Sequence, residues 1–259
     1  MLHRSRERLV ERRDEPHDSD IPTRAAMRTA ALADDTFLAE LHANTVVDAE
    51  AYYREMCTGG TSTWNLRDGH FFRVLEATQE YIGRARGRPC RTVVWAHNSH
   101  VSDARATEKG GRGETTLGTL CRERLPEGST YSIGLSTFAG TVTAATHWDG
   151  IAERKRVRPA LAESYESILH AVGVPRFLLP LTGAPLPVVD ALAPARLQRA
   201  IGVIYRPQTE RASHYYATHL CRQYDALIFI DETRAVEPLE QNPTWSGPPG
   251  ADATWPTGE

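Results

Sequence analysis

The sequence predicts an α/β fold, a mostly parallel sheet flanked by helices in three layers (α/β/α), and three observations lead to it. Short apolar runs recur at residues 92–96, 131–138, 177–179, 200–205 and 227–231. Runs of that length between turn residues read as buried strands. Helical patterns fall between them, and strands alternating with helices favour a parallel sheet covered on both faces. Hydrophobic residues make up 41% of the 259-residue chain, enough to bury a sizeable core.

Taken in order, residues 1–22 are polar and end in a proline-flanked acidic patch, which reads as a loop. Residues 23–56 are alanine-rich and helical, with Gly59 and Gly60 as the stop. Residues 64–68 read as a loop. A helix follows over 67–82, where Phe71, Leu75, Thr78 and Ile82 share one face. The run 92–96 is the first strand, followed by a glycine-rich loop to about residue 114, a helix over 116–124 and a strand over 131–138. The basic cluster Arg154, Lys155, Arg156 and Arg158 reads as a solvated loop. Pro159 opens a helix in which Leu161, Tyr165, Ile168, Leu169 and Val172 fall at i, i+4, i+7, i+8 and i+11. Strands at 177–179, 200–205 and 227–231 complete the pattern, with a helix over 213–222 before the last. The reading divides the chain into a charged, helical segment 1–39, an α/β domain 40–240 and a Pro/Gly-rich tail 241–259. The first credible strand comes only after residue 90, so the domain is expected to be incomplete and to lack N-terminal strands.

Composition narrows the function classes. A formal net charge of −3 argues against a general nucleic-acid binder, which carries a basic face. Cys57, Cys90, Cys121 and Cys221 lie far apart and read as reduced thiols of a cytoplasmic protein. The charged residues 1–13 hold no apolar core of a secretory signal, and no run has the apolar length of a membrane span.

The chemistry concentrates where the apolar run Val93-Val94-Trp95-Ala96 stops at His97 and His100. Ligands of open α/β sheets bind beyond the carboxyl ends of strands, and imidazole moves protons near neutral pH. The bland alternative is a pair of structural histidines, His100 holding its loop through a backbone hydrogen bond. His97, His100 and Asp103 also offer metal ligands, although a strand-to-loop setting does not align them. The glycines at 110–113 lack the context of a phosphate loop, and neither a dinucleotide fingerprint nor a Gly-x-Ser-x-Gly elbow occurs. No cofactor and no metal are therefore expected. Arg206, Glu210, Arg211 and His214 either touch a substrate or pair among themselves. Asp231 either orients an imidazole or caps the next turn.

Several motifs together carry a family resemblance: Tyr52-Tyr53-Arg54, Trp64-Asn65-Leu66-Arg67-Asp68-Gly69-His70, the stretch from Val93 through His100 to Arg105, Leu117-Gly118, residues 134–141, AIGVIYRPQTER over 200–211 and FIDETRA over 229–235. From about residue 40 onward the chain resembles the C-terminal part of the erythromycin esterase family. The resemblance implies a metal-independent α/β hydrolase acting on a small-molecule ester or macrolide lactone, and hence macrolide resistance. It implies catalytic roles for His97 and His100 and substrate-binding roles for Arg67, Asp68 and Asn98. It also implies a principal base in a Gly-Glu-x-x-His-Gly motif that this sequence lacks, since Gly113-Glu114-Thr115-Thr116-Leu117-Gly118 has leucine where the histidine belongs. The expectations are a late recorded start or a fragment of a longer gene, a non-catalytic remnant or binding module, or a chain completed by a separate partner.

Overall fold

The computed structural model describes residues 24–57 and 62–238, with side chains from residue 32 onward. The expectations for residues 1–22, for a helix stop at Gly59 and Gly60 and for the tail over 241–259 lie outside the described residues. The chain divides into two compact units, Met1–Val47 and Asp48–Glu259. The first is described through α1 (Arg24–Met56), which continues into the second. Along it Thr36 and Thr45 return their hydroxyl protons to the Leu32 and Leu41 carbonyls one turn back.

Among the described residues the second unit carries six strands: β1 (Ile133–Ala144), β2 (Glu153–Val157), β3 (Arg176–Pro180), β4 (Arg196–Arg199), β5 (Tyr215–Thr218) and β6 (Ala226–Thr233). Four form a mixed sheet in the order β2–β1–β6–β3, and β4 pairs with β5 in a small antiparallel ribbon. The central pair runs parallel, from Ile133 opposite Ala226 to Gly140 opposite Thr233, with antiparallel β2 and β3 on either side. Period-2 alternation sorts β6 into two faces. Leu227 and Phe229 are fully buried and join Tyr165, Leu169, Leu181, Leu192, Leu220 and Tyr224 in the largest core cluster. Those partners come from or beside the helices α6 (Tyr165–His170), α7 (Leu186–Leu192) and α9 (Leu220–Gln223), so helices cover that face as an α/β fold requires. Ile228 and Ile230 point the other way, into a cavity described below. Gly140 lets β1 pair on both sides at once: its φ is +122°, and a Cβ there would lie 2.2 Å from the Thr233 carbonyl oxygen.

Several expected elements take a different form. Residues 92–96 make no strand; Val93 and Trp95 remain 91% and 88% exposed. An apolar run becomes a strand only where another backbone supplies the ladder, and no described segment does so here. Residues 64–68 lie within α2 (Ser62–Arg86), not in a loop. Arg154, Lys155 and Arg156 of the basic cluster lie in strand β2, not a loop, with Glu153, Lys155 and Val157 turned inward and the Lys155 ammonium donating to the Thr146 hydroxyl at 2.6 Å. The helix expected from Pro159 is confined to α6, which Ser164 starts by accepting the Ser167 N–H. Residues 200–205 follow β4 without forming a strand; they meet β1's extension through a bridge between Ala145 and Ile204, and Ile201 and Tyr205 pack with Val142 and Ala144 of β1. The helix expected over 213–222 is split by β5, whose Tyr215, Tyr216 and Thr218 favour a pleated, half-buried surface. Short helices α8 (Glu210–Ser213) and α9 flank that strand. No helix of the described residues is long and apolar enough to cross a membrane.

Candidate active site

The predicted histidines stand on one turn of chain, placed by two helices. His97 is the N-cap of α3 (Asn98–Val101), extended at φ −62° and ψ 149°. Its Nδ1 accepts the Ser99 N–H at 3.2 Å and lies 2.8 Å from the Ser99 hydroxyl. With Nδ1 an acceptor, Nε2 must carry the proton, which it donates to the Ile201 carbonyl at 2.7 Å. Both ring nitrogens are thus engaged within the protein. The residue keeps exposed surface, yet the protein atoms crowding the ring desolvate it and hold its pKa below the usual histidine value; the Ile201 carbonyl opposes this, and the nearby His100 and Lys109 add to it.

His100 is held differently. On α2, Trp64, Arg67, Asp68 and Phe71 fall at i, i+3, i+4 and i+7 and share one face. Asp68 is fully buried and takes the His100 Nδ1–H at 2.8 and 3.1 Å on its two oxygens. The same carboxylate accepts the Leu117 N–H at 2.9 Å, the first free amide of α5 (Leu117–Arg124). Trp64 lies parallel on the imidazole at 4.8 Å between ring centroids, Phe71 meets it in a T-shaped contact at 5.5 Å, and the Arg67 guanidinium lies over the Trp64 ring at 4.6 Å. Among the described residues no hydrogen bond reaches His100 Nε2. A carboxylate on Nδ1 fixes the tautomer that leaves Nε2 a lone pair, the arrangement of an imidazole ready to accept a proton.

The surroundings hold that geometry. Asn65 clamps the 113–115 loop, which follows the short helix α4 (Glu108–Gly111), to α2: its side chain donates to the Gly113 carbonyl and accepts the Thr115 N–H, both at 2.8 Å. Trp64 Nε1–H donates to the Thr115 carbonyl at 3.0 Å. Gly118 lets α5 press on the turn after His100; a Cβ there would lie 2.2 Å from the Val101 carbonyl oxygen. The Asn98 amide brackets the open edge of β1, donating to the Leu135 carbonyl at 2.6 Å and accepting its N–H at 3.0 Å. It occupies the place a neighbouring strand's backbone would take.

His97 and Asn98 line a cavity of about 900 Å³ whose wall is mostly apolar, formed by residues 92–96, Leu135, Ile228 and Ile230 among others. Glu166 and Arg199 line it too. Burial pushes the Glu166 carboxyl above the ordinary carboxylate value, against the Arg199 N–H, its own N–H, the Arg199 charge and Ser164. Sequence reading missed Trp64, Glu166 and Arg199. Trp64 had a usable signal in its helical spacing from Asp68; a buried glutamate between apolar helix positions had none.

Of the five predicted site residues, His97 and Asn98 line the cavity, whereas His100 and Asp68 pair with each other and Arg67 lies over Trp64, and these three are not among its lining residues. Asp68 has no exposed surface and can meet a ligand only through His100, and it does not pair with Arg67. Asp103, offered as a metal ligand, is turned to the Arg105 guanidinium at 2.7 and 2.9 Å. Among the described residues no three His, Cys, Asp or Glu side chains converge as a ligand set. Arg206, Glu210 and His214 pair inward: Glu210 accepts from Arg199 and from the Tyr205 hydroxyl, both at 2.9 Å, and His214 Nε2 accepts the Arg206 N–H at 2.9 Å. Asp231 takes the first of its two expected roles, holding the His170 Nδ1–H at 2.6 Å.

Known proteins share this architecture. A protein from Bacillus cereus, 19% identical, superposes with a TM-score of 0.56 over 67% of this chain and 40% of its own. A succinoglycan biosynthesis protein, 20% identical, gives 0.56 over 80% of this chain and 48% of its own. A mutant erythromycin esterase in its open conformation, 18% identical, gives 0.43 over 65% and 37%. The chain spans less than half the length of each of these structures. At such identities the first two likenesses establish the α/β fold. The family model described as erythromycin esterase matches residues 3–233, most of the sequence, and on that match the chain belongs to the erythromycin esterase family.

Proposed function

We propose that this chain forms part of a hydrolase cleft that opens a carboxylic ester or macrolide lactone with water, and that His100 is its proton-transfer group. The observation that carries the reading is the Asp68–His100 dyad, whose Nε2 is free, on the turn that also sends His97 and Asn98 to the apolar cavity. The apolar body of a ligand fits that cavity. His100 Nε2 takes a proton from water as the oxygen bonds to the carbonyl carbon, giving a tetrahedral oxyanion. Collapse breaks the bond to the alcohol oxygen, which receives the proton back from the imidazolium; an acid and an alcohol, or one opened hydroxy acid, result. Arg67 supplies fixed N–H groups for the oxyanion. The dyad supplies the base, so the reading calls for no metal and no cofactor. Such ring opening inactivates a macrolide and underlies the resistance reading.

A second reading, a ligand-binding member without turnover, is favoured by one observation: His97 has both nitrogens engaged within the protein. Hydrolysis of a macrolactone by the wild type, His97→Asn and His100→Asn separates the two. The first reading expects His100→Asn to lower kcat/KM by about 10²- to 10⁴-fold with folding intact. Unchanged turnover in both variants refutes imidazole catalysis, and binding by the wild type without hydrolysis supports the second reading.

A further inference from the structure

The apolar run over 92–96 stands at the surface with its backbone unused. Arg91 through Trp95 are exposed one after another. Among the described residues no hydrogen bond or bridge reaches the backbone of Thr92 through Ala96. Both ends of the run are nevertheless held. The Gln79 amide of α2 donates to the Thr92 hydroxyl at 3.1 Å, and Asn98 is fixed to the Leu135 backbone of β1. Free donors and acceptors are thus presented between two anchors.

Such a backbone is a template for another strand, and proteins blunt exposed edges with charge, proline or a covering segment. Thr92, Val93, Val94, Trp95 and Ala96 include neither a charge nor a proline, and valine, threonine and tryptophan favour strands. The run is also its own complement. In an antiparallel pair of copies with a two-fold axis at Val94, Val93 of each copy lies opposite Trp95 of the other, and Thr92 opposite Ala96. Aromatic and β-branched side chains are favourable cross-strand partners. The next pair outward sets Arg91 against His97, whose pKa desolvation lowers, so like charges do not meet there at neutral pH. Tyr131, 61% exposed, lines the same cavity as the run. Covering Val93, Val94, Trp95 and Tyr131 in two copies removes on the order of 1,200 Å² of surface, the lower limit of a specific protein interface.

We propose that residues 92–96 are the docking edge for a second copy of this chain, the two runs pairing antiparallel about Val94 to close a two-fold dimer. Two-fold closure is the commonest symmetric assembly, and it needs only this one patch on each copy. The pairing uses the run's backbone and apolar side chains and stands apart from the hydrolase reading.

Sedimentation equilibrium of the purified 259-residue chain is the test, with wild type and Val94→Pro compared over about 1–100 µM, where an interface of this size dissociates. The proline removes an amide donor at the axis and bars strand pairing, yet breaks no hydrogen bond within one copy. The wild type is expected to dimerise, and the variant to dissociate at least about tenfold more readily with its circular dichroism unchanged. Should Val94→Pro fail to fold, Trp95→Glu, which puts a charge on each edge, is read the same way. Val94→Cys tests the register. Its thiols meet across the axis and should link the copies on mild oxidation, as peptide mass spectrometry reads. Those of Thr92→Cys lie about 13 Å apart along the strands and should not. A wild type that stays monomeric overturns the proposal. So does a dimer that Val94→Pro leaves equally tight, or a Thr92→Cys chain that cross-links through that residue as readily as Val94→Cys.

Discussion

Removing the Asp68 carboxylate tests how the site is held together, because one buried group there serves two elements. Asp68→Ala deletes the acceptor for the Leu117 N–H and the partner of His100 Nδ1 together. The Leu117 amide then sits buried at the start of α5 without a partner, which costs about 1–3 kcal/mol. The lost carboxylate–imidazole bond adds about 1.5–3 kcal/mol. Together they predict a loss of about 2.5–6 kcal/mol, a large fraction of the stability of an ordinary domain. Asp68→Asn keeps one oxygen, which the Leu117 N–H claims, and turns an amide NH2 toward His100 Nδ1. Its cost is limited to the imidazole part, about 1.5–3 kcal/mol, while His100 is driven to the tautomer that protonates Nε2. Urea unfolding of the three proteins gives the two differences, and nitrogen-resolved NMR of the histidine rings reads the tautomer. If Asp68→Ala and Asp68→Asn unfold within about 0.5 kcal/mol of each other, Asp68 does not support α5 and the reasoning fails. If the His100 tautomer is the same in the wild type and Asp68→Asn, the dyad does not set it.

Two further predictions follow from the same geometry. Gly118→Ala puts a methyl group where the Val101 carbonyl oxygen would lie 2.2 Å away; overpacking of backbone at that distance is expected to cost about 1–3 kcal/mol, read as a lower melting temperature, and a variant melting like the wild type would mean that α5 does not press on the His100 turn. The pKa values of His97 and His214 are both lowered, chiefly by desolvation, from the ordinary value of 6.5. The unfolded chain therefore binds protons that the folded chain refuses: this contribution is fully present above 6.5 and is lost as pH falls below it toward the folded values. Glu153 and Glu166, raised by burial, act with the opposite sign: their contribution is present below the ordinary carboxylate value and is lost as pH rises through their folded values. The histidine part is isolated by His214→Gln, which is expected to flatten the fall in unfolding free energy between about pH 7 and about pH 5.5; an unchanged slope would remove His214 from the linkage.

Local pattern was legible wherever a segment's own residues decide its state. The helix over 117–124 needed only its Thr116 cap, the strand at 226–233 only its apolar run, and the family motifs named the His97–His100 turn with Asp68 and Asn98 beside it. Pattern could not say whether a partner backbone lies alongside, and so residues 92–96 and 200–205, as apolar as true strands, are unpaired or merely bridged. Nor could it see that alternate residues of a basic cluster are turned inward to make β2. What the sequence determined alone is the class of elements and the residue types at the site, because helix and strand preference and hydrogen-bonding chemistry belong to the side chains themselves. Which histidine pairs with a buried carboxylate and which with a backbone carbonyl was decided only by tertiary structure, because a hydrogen bond depends on what stands within about 3 Å in space and not on what stands nearby in the chain.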